Sequence, residues 1–296
     1  MITFFQQLIN GLSVGSLYAL IAIGYTLVYG VLRFINFAHS DVFMVGAYAG
    51  MVAGQRFTEG TFLSGMAAVL FAMVLCAALG ITIEFLAYRP LRERSKLTVL
   101  ITAIGVSMLL QNVVRMIFGP NVKSFPMVFP AATFNVGGVV ISSKDVTVLV
   151  VTVLLIVLLQ FIVHRTRLGM AMRAVSFNPQ AAALMGVNQG RIISFTFGLG
   201  SALAAVAGVL WAFKFPKIEP SLGVLPGITA FVAAVVGGIG NLPGAALGGL
   251  LIGVIEAFVK GSPWSTWTEA ISFTLLIVIL LFRPAGLLGK MQREKV

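Results

Sequence analysis

Two carboxylates of this chain, Glu84 and Glu256, lie within long apolar runs, where an ionised side chain is costly. A carboxylate in such surroundings could bind a proton or a cation. Each also has a basic neighbour along the chain, Arg89 for Glu84 and Lys260 for Glu256, and the second pair has the favourable i, i+4 helical spacing. We favour pairing with these bases and keep both carboxylates as candidate residues of a solute path.

Two further polar residues, Asn36 and His39, precede a short apolar segment at residues 42–52. We expect them at the cytoplasmic end of that segment. Their side chains could cap a broken helix or line a solute path, and capping is the favoured interpretation. The candidate path residues are therefore Asn36, His39, Glu84 and Glu256.

Motifs for catalysis do not accompany these side chains. The phosphate-binding pattern G-x-x-x-x-G-K-[ST] is absent, because Gly289-Lys290 is followed by Met291 and lacks the preceding loop. The zinc-protease pattern H-E-x-x-H and the paired-cysteine pattern C-x-x-C are absent too, and Cys76 is the only cysteine. We expect no enzyme activity, no metal site and no cofactor, and any ATP hydrolysis would take place on another chain.

The composition is that of a membrane protein, with 59% hydrophobic residues, 10% charged residues and a mean hydropathy of +1.03. Apolar runs of about 20 residues recur, which is the length that a helix needs to cross a bilayer. We therefore predict an all-α, polytopic helical bundle forming a single domain over residues 1–296. The net charge of +11 does not indicate nucleic-acid binding, because the cations lie at the ends of apolar runs.

About eight to ten membrane segments are expected, and the second, eighth and ninth of those we identify are shorter than a full crossing. The segments are residues 8–31, 42–52, 62–86, 97–118, 146–163, 192–213, 222–239, 245–259 and 271–282. Most of the 20 Lys and Arg residues fall in the loops on one side, including the loop at 164–191 and the C-terminal tail with Lys290, Arg293 and Lys295. This excess predicts a cytoplasmic C-terminus and an N-terminus on the outside.

A faint internal repeat runs through these segments. Gly15-Ser16 resembles Gly200-Ser201, and Gly80-Ile-Thr-Ile-Glu84-Phe85 resembles Gly253-Val-Ile-Glu256-Ala-Phe258. The paired segments would run in opposite directions, and inverted repeats are typical of transporters. Chance similarity among helices rich in Gly and Ala remains the alternative.

Glycines spaced four residues apart predict close helix packing, because small residues let two backbones approach where lipid supplies no hydrophobic drive. Several such spacings in one chain indicate a tight bundle. The candidate packing residues are Gly46, Gly50, Gly244, Gly248, Gly249 and Gly253.

The cationic loop at residues 164–191 contains signals for a short helix. Asn178 is a good N-cap, Pro179 suits the first helical position, and Gly186 can end the helix. A short helix between two spans could be a docking element for another protein or a passive connector. These signals alone favour the connector.

Several sequence blocks resemble the membrane permease subunits of branched-chain amino acid ABC importers, specifically the shorter of their two paired permeases. The resemblance extends over nearly the whole chain, and its N-terminal and C-terminal blocks are long and specific. The blocks are residues 10–30, Ile35-Asn-Phe-Ala-His39, Tyr88-Arg-Pro-Leu-Arg92, Ala103-Ile-Gly-Val-Ser107, Leu184-Met-Gly-Val-Asn188, residues 233–245 and Arg283-Pro-Ala-Gly-Leu-Leu-Gly289.

The resemblance implies that the short helix is a coupling helix, which enters a groove on an ATPase subunit. Gln180-Ala-Ala182 with Gly186 keeps the spacing of the importers' E-A-A-x-x-x-G loop, with Gln180 in place of the glutamate. That change weakens the case for a salt bridge to the ATPase but leaves shape-based docking. The coupling residues that the resemblance implies are Arg173, Asn178, Pro179, Gln180, Ala181, Ala182, Gly186 and Asn188.

The resemblance also implies a setting in the bacterial inner membrane. The expected partners are a second homologous permease subunit, two cytoplasmic ATP-binding subunits, a periplasmic substrate-binding protein and the lipid bilayer. The expected substrates are leucine, isoleucine and valine or related small neutral amino acids, with urea or short amides as the alternative. A stand-alone secondary transporter or channel, and a scaffold subunit without its own path, remain alternative functions.

Overall fold

The computed structural model describes residues 2–56, 61–92 and 94–289. Lys290, Arg293 and Lys295, which contribute to the predicted orientation, lie outside the described residues. Two ends of the molecule are named here by what they carry. The coupling end carries the predicted coupling helix, and the ribbon end carries the short β-strands.

The described chain is almost entirely helical, which confirms the predicted fold class. Its helices are α1 Ile2–Leu32, α2 His39–Arg56, α3 Phe62–Ile83, α4 Lys96–Phe118, α5 Ser143–Arg165, α6 Arg167–Phe177, α7 Pro179–Leu184, α8 Gln189–Lys214, α9 Val224–Gly237, α10 Leu242–Lys260 and α11 Thr268–Phe282. A π-helical turn at Glu84–Tyr88 and a 3-10 turn at Arg89–Leu91 extend α3.

Short β-strands occupy the ribbon end. β1 Lys123–Ser124 pairs antiparallel with β4 Lys217–Ile218, and β2 Thr133–Val136 forms a hairpin with β3 Val139–Ser142. An ion pair between Lys214 and Asp145 joins α8 to α5 at the same end. These contacts hold the loops against the ribbon end of the bundle. Helices α6 and α7 lie at the coupling end.

Each of the nine predicted segments coincides with a helix, and within the described part of the chain seven helices are long and apolar enough to cross a membrane. The predicted lengths were wrong in part. The eighth segment forms α10, a 19-residue helix of spanning length, and the ninth, α11 with the 3-10 turn before it, reaches 18 residues. The seventh segment is shorter than a full crossing, because it forms α9, which has 14 residues and begins at Val224.

Two helices, α2 and α9, both begin deep inside the bundle. His39, the first residue of α2, lies against Gly24 in α1 and near Gly200 in α8. The start of α9 meets this point from the other side, because Gly223 and Gly227 lie against Ser40. Asn36 and His39 therefore lie at the start of the second segment, as expected, and this start is a buried junction where two broken helices meet.

The helix contacts follow the pattern of an inverted repeat that relates α1–α4 to α8–α11. In one half, α1 packs on α10 through Gly15 against Gly253 and through Ala19 against Gly249. In the other half, α8 packs on α3 through Ser201 against Gly80. Exchanging α1 with α8 and α3 with α10 turns one contact into the other. This geometry supports the inverted repeat over chance similarity.

Candidate functional site

The predicted short helix is present as α7, with the expected capping residues at its ends. Asn178 Oδ1 accepts a hydrogen bond from the Ala181 N–H at 3.0 Å, and Pro179 is the first helical residue. Gly186 adopts a φ of +82°, a left-handed conformation that favours glycine, and the Val187 N–H donates to the Ala182 carbonyl at 3.0 Å. Local signals therefore define both ends of α7.

Apolar side chains project from the end of α7 without contacts that bury them. Leu184 is 89% exposed and Met185 is 84% exposed. Phe177, just before α7, is also exposed, whereas Ala182 is buried against the rest of the chain. Three large, exposed apolar side chains at the two ends of α7, outside the spanning helices, are typical of a protein-binding surface. We call Phe177, Leu184 and Met185 the apolar tip.

The apolar tip is fastened to the spanning helices through α6 and the start of α8. Ser176 donates to the Gly30 carbonyl at the end of α1, and Arg33 Nη2 donates to the Ser176 carbonyl at 3.2 Å. Arg173 donates to the Val163 carbonyl of α5. A displacement of α6 would therefore also move the ends of α1 and α5, to which α6 is hydrogen-bonded.

A second set of contacts joins α7 to α8. Gln189 Nε2 donates to the Pro179 carbonyl at 2.6 Å, and Asn188 caps α8 by accepting from the Arg191 N–H at 3.1 Å. Gln180 is exposed on α7, where a partner could reach it. The eight predicted coupling residues therefore lie on α6, on α7 and in the connections that flank α7.

The predicted path residue Asn36 acts within the chain reversal between α1 and α2. Asn36 is buried, and its Oδ1 accepts hydrogen bonds from the Ala38 N–H at 3.1 Å and from the Tyr88 hydroxyl at 2.6 Å. These bonds satisfy the carbonyl oxygen and hold the reversal against the end of α3. The bond to the Ala38 N–H, two residues on, is that of an Asx turn just before α2.

His39 shares the buried junction with a carboxylate that sequence reasoning missed. The His39 ring is 4.7 Å from the Tyr25 ring, measured between centroids, and both residues are buried. Asp41, in the first turn of α2, is 1% exposed and accepts a hydrogen bond from Gln111 Nε2 at 2.9 Å. The signal for Asp41 was present, because an acidic residue just after His39 is rare in a buried segment and favourable in the first turn of a helix.

This junction is tightly packed. A methyl group on Gly227 would overlap the Ser40 side chain, and one on Gly223 would overlap the Ser40 carbonyl. The starts of α2 and α9 therefore touch, and the described residues leave no room for a solute between them in this conformation.

Glu84 forms an ion pair, but its partner is Arg92 rather than the predicted Arg89. The carboxylate is fully buried and also accepts a hydrogen bond from the Ser194 hydroxyl of α8. Glu84 begins the π-helical turn, which the 3-10 turn follows, so regular helical spacing does not apply between Glu84 and Arg92. The Arg89 guanidinium lies over the Phe85 ring instead, 5.2 Å from its centroid.

Glu256 forms the predicted pair with Lys260, with 2.9 Å between Oε2 and Nζ. The same oxygen accepts a hydrogen bond from the Tyr18 hydroxyl of α1, also at 2.9 Å. Both predicted path carboxylates are thus paired and hydrogen-bonded. Their contacts fit a structural role.

The basic partners of the two carboxylates differ in solvent exposure, so removing each carboxylate should change the stability of the protein by a different amount. Glu84→Gln should destabilise the protein by about 3–5 kcal/mol, because the largely buried Arg92 would lose its counter-charge. Glu256→Gln should cost only about 1 kcal/mol, because the Lys260 side chain is 57% exposed and glutamine can still accept from Tyr18. Thermal unfolding of the two variants in the same detergent would measure this difference, and equal midpoints would contradict it.

The six predicted packing glycines all lie at close helix contacts. Gly46 and Gly50 of α2 face α8, Gly244 and Gly248 of α10 face α9, and Gly249 and Gly253 of α10 face α1. A Cβ atom on any of the six would come closer than 3 Å to an atom of the facing helix. At Gly50 that atom belongs to the Val209 side chain, but at the other five positions it is backbone, so a larger side chain there would force the helices apart.

Known proteins resemble this chain along nearly its whole length. A family profile described as branched-chain amino acid transport system / permease component matches residues 7–280. The permease protein BraD of the high-affinity branched-chain amino acid transport system of Pseudomonas aeruginosa is 44% identical over 301 residues, which cover 99% of this chain and 98% of the relative.

Two further relatives carry the name LivH. The permease protein of the high-affinity branched-chain amino acid transport system of Escherichia coli is 40% identical over 304 residues, covering 99% of this chain and 98% of the relative. The probable branched-chain amino acid transport permease of Methanocaldococcus jannaschii is 30% identical over 291 residues, covering 93% and 89%.

Proposed function

The chain belongs to the family of branched-chain amino acid transport permeases, and from this premise we propose that it is a membrane subunit of an ATP-driven importer of leucine, isoleucine and valine. It is a multi-pass membrane protein and a transport subunit rather than an enzyme. The observation that carries the proposal is the capped helix α7 with its apolar tip, held against α1, α5 and α8. An ATPase bound to the apolar tip could change the packing of these helices when it closes on ATP.

In this proposal the coupling end faces the cytoplasm, together with the C-terminus. The excess of Lys and Arg in the loops at that end supports the orientation. Two ATP-binding subunits work from that side, one of them on α7. A periplasmic binding protein delivers substrate to the ribbon end. A second, homologous permease covers one of the exposed helices, among which α4, α5 and α11 bury the least of their surface.

The proposed mechanism is a change in packing between two halves of an inverted repeat. Closure of the ATPase subunits displaces α7, and the hydrogen bonds of Ser176, Arg173 and Gln189 carry that displacement to α1, α5 and α8. Since α2 and α9 touch where both begin, at Ser40, rotation of one half would move the start of the other. Transporters with broken helices commonly alternate in this way.

The proposed substrates come from the names of the relatives, which are permeases of branched-chain amino acid systems. Urea or short amides are the alternative substrates. A stand-alone secondary transporter would need an ionisable group free to exchange a proton or cation. The two predicted carboxylates do not favour that function, since both are paired.

Purification of the tagged protein in mild detergent, followed by mass spectrometry, tests the assembly. Two P-loop ATPases and a second permease should be recovered with it, and leucine uptake by the reconstituted complex should require ATP and the binding protein. Calorimetry on that binding protein would compare leucine with urea. A protein that purifies alone and moves leucine in ATP-free liposomes would contradict the proposal.

A further inference from the structure

A cavity of about 790 Å³ lies at the coupling end, behind α6. Its walls come from the end of α1, the end of α5, α6, the α9–α10 connection and the segment that follows α11. Polar residues from four of these elements line it, among them Tyr29, Arg33, Gln160, Arg173 and Asn241. It is separate from the apolar tip and from the packed junction at Ser40.

The two arginines make this cavity electropositive. Arg33 Nη2 donates to the Ser176 carbonyl and Arg173 Nη1 donates to the Val163 carbonyl, so each guanidinium keeps further N–H donors. Over residues 2–56, 61–92 and 94–289, neither arginine forms an ion pair, and no Asp or Glu lines the cavity. Two arginines that face one space, with no counter-charge among the described residues, favour an anionic occupant.

The backbone conformation of Arg33 is a second observation that points to a binding role for its guanidinium. Arg33 follows the last residue of α1, and its φ of 56° is left-handed, the only positive φ of a residue other than glycine in the described chain. Glycine is the usual residue at such a helix end, because a side chain is strained there. An arginine at this position accepts strained backbone and directs a cation into the cavity.

The remaining wall of the cavity is apolar and lies beside exposed helices. Val163, Ile239, Leu242 and Pro284 contribute to it. The neighbouring helices α5 and α11 are among those that bury the least of their surface, so lipid can approach from that side. A polar end with guanidinium groups and an apolar wall suit an amphiphilic anion.

We propose that this cavity binds a phosphate group, supplied either by the headgroup of an anionic phospholipid or by free inorganic phosphate. Arginine forks bind phosphate with paired, charge-assisted hydrogen bonds. Basic pockets between membrane helices on the cytoplasmic side are known to hold lipid headgroups. Because Arg33 follows α1 and Arg173 lies on α6, one bound phosphate would tie the two elements together.

Native mass spectrometry of the purified full chain tests the proposal with three probes: phosphatidylglycerol, zwitterionic phosphatidylethanolamine and inorganic phosphate. Phosphatidylglycerol should be retained on the wild type about tenfold more than on the Arg33→Gln, Arg173→Gln double variant, as expected for loss of charge-assisted bonds. The Arg94→Gln, Arg165→Gln variant removes two exposed arginines that do not line the cavity. It should retain the lipid as the wild type does.

The outcomes distinguish the two sources of phosphate. Retention of phosphatidylglycerol that depends on the two arginines identifies a headgroup site, and arginine-dependent binding of inorganic phosphate without lipid identifies a free-anion site. Three results would overturn the proposal. They are that neither phosphatidylglycerol nor inorganic phosphate binds, that the double variant binds as much as the wild type, or that phosphatidylethanolamine is retained as well as phosphatidylglycerol. Should the double variant fail to fold, Arg33→Gly provides the second test, because glycine suits the left-handed backbone and removes one guanidinium.

Discussion

The Leu184→Asp, Met185→Asp double variant is expected to lose leucine uptake by more than about a hundredfold and to purify without its ATPase subunits. Both side chains are almost fully exposed, so the substitutions should leave the helical bundle intact. In the proposed assembly the same side chains are buried against an ATPase, where an unpaired carboxylate is strongly unfavourable. Central apolar contacts of an interface often contribute 2 kcal/mol or more each, roughly thirtyfold in affinity.

The matched control for this variant is Phe134→Asp with Val136→Asp on the β2–β3 hairpin. These two apolar residues are also well exposed, at 58% and 63%, but they lie at the ribbon end. This control should retain its ATPase subunits. Normal ATPase recovery and uptake by the Leu184, Met185 variant would contradict a docking role for the apolar tip.

A third variant tests the helix end rather than the tip. Gly186→Arg has open space around the new Cβ atom but places a side chain on a φ of +82°. The end of α7 should therefore change shape, and coupling should fall while the amount of protein in the membrane stays the same. Ala182→Gly should act in the same direction by weakening α7 itself.

Gly253→Leu is expected to prevent stable folding, with a loss of at least about 3 kcal/mol from overpacking. A Cβ atom at Gly253 would overlap the backbone of Gly15 in α1, and backbone cannot turn aside as a flexible side chain can. The contact lies between α1 and α10, so the helices would have to separate. The measurement is the fraction of monodisperse protein on gel filtration together with the midpoint of thermal unfolding.

Gly105→Leu in α4 is the matched control, because no atom lies within 4 Å of a Cβ atom built there. It should fold as the wild type does. The inverted repeat adds a further expectation. Gly80→Leu would disrupt the α3–α8 contact, which mirrors the α1–α10 contact, and should also destabilise the protein, but by less than Gly253→Leu, because the nearest atoms belong to the Ser201 side chain. Equal behaviour of Gly105→Leu and Gly253→Leu would show that close packing at Gly253 is not needed.

Much of this protein could be predicted from its sequence because the governing signals are local. Hydropathy marks each spanning helix, since a run of apolar residues is itself what lipid selects. The ends of α7 follow from Asn178, Pro179 and Gly186, whose effects act within one turn. The pair between Glu256 and Lys260 follows from helical spacing alone.

Other features required the tertiary structure, because they join residues far apart in the chain. Asp41 accepts a hydrogen bond from Gln111, which lies on another helix about 70 residues further along the chain. The junction at Ser40 forms because α9 packs against the start of α2. The cavity between Arg33 and Arg173 likewise combines the ends of separate helices.

The contrast is clearest at the two carboxylates. Glu256 lies on a regular helix, where sequence spacing determines which side chains meet, and its basic partner was predicted correctly. Glu84 begins a π-helical turn that a 3-10 turn follows, so regular helical spacing does not predict its partner, which is Arg92 instead of Arg89. Local patterns along the chain were enough to predict where the helices lie, the two ends of α7 and the family. Which helices touch, where the broken helices begin and which charges pair across irregular turns depend on packing between distant segments, so the folded structure was needed to see them.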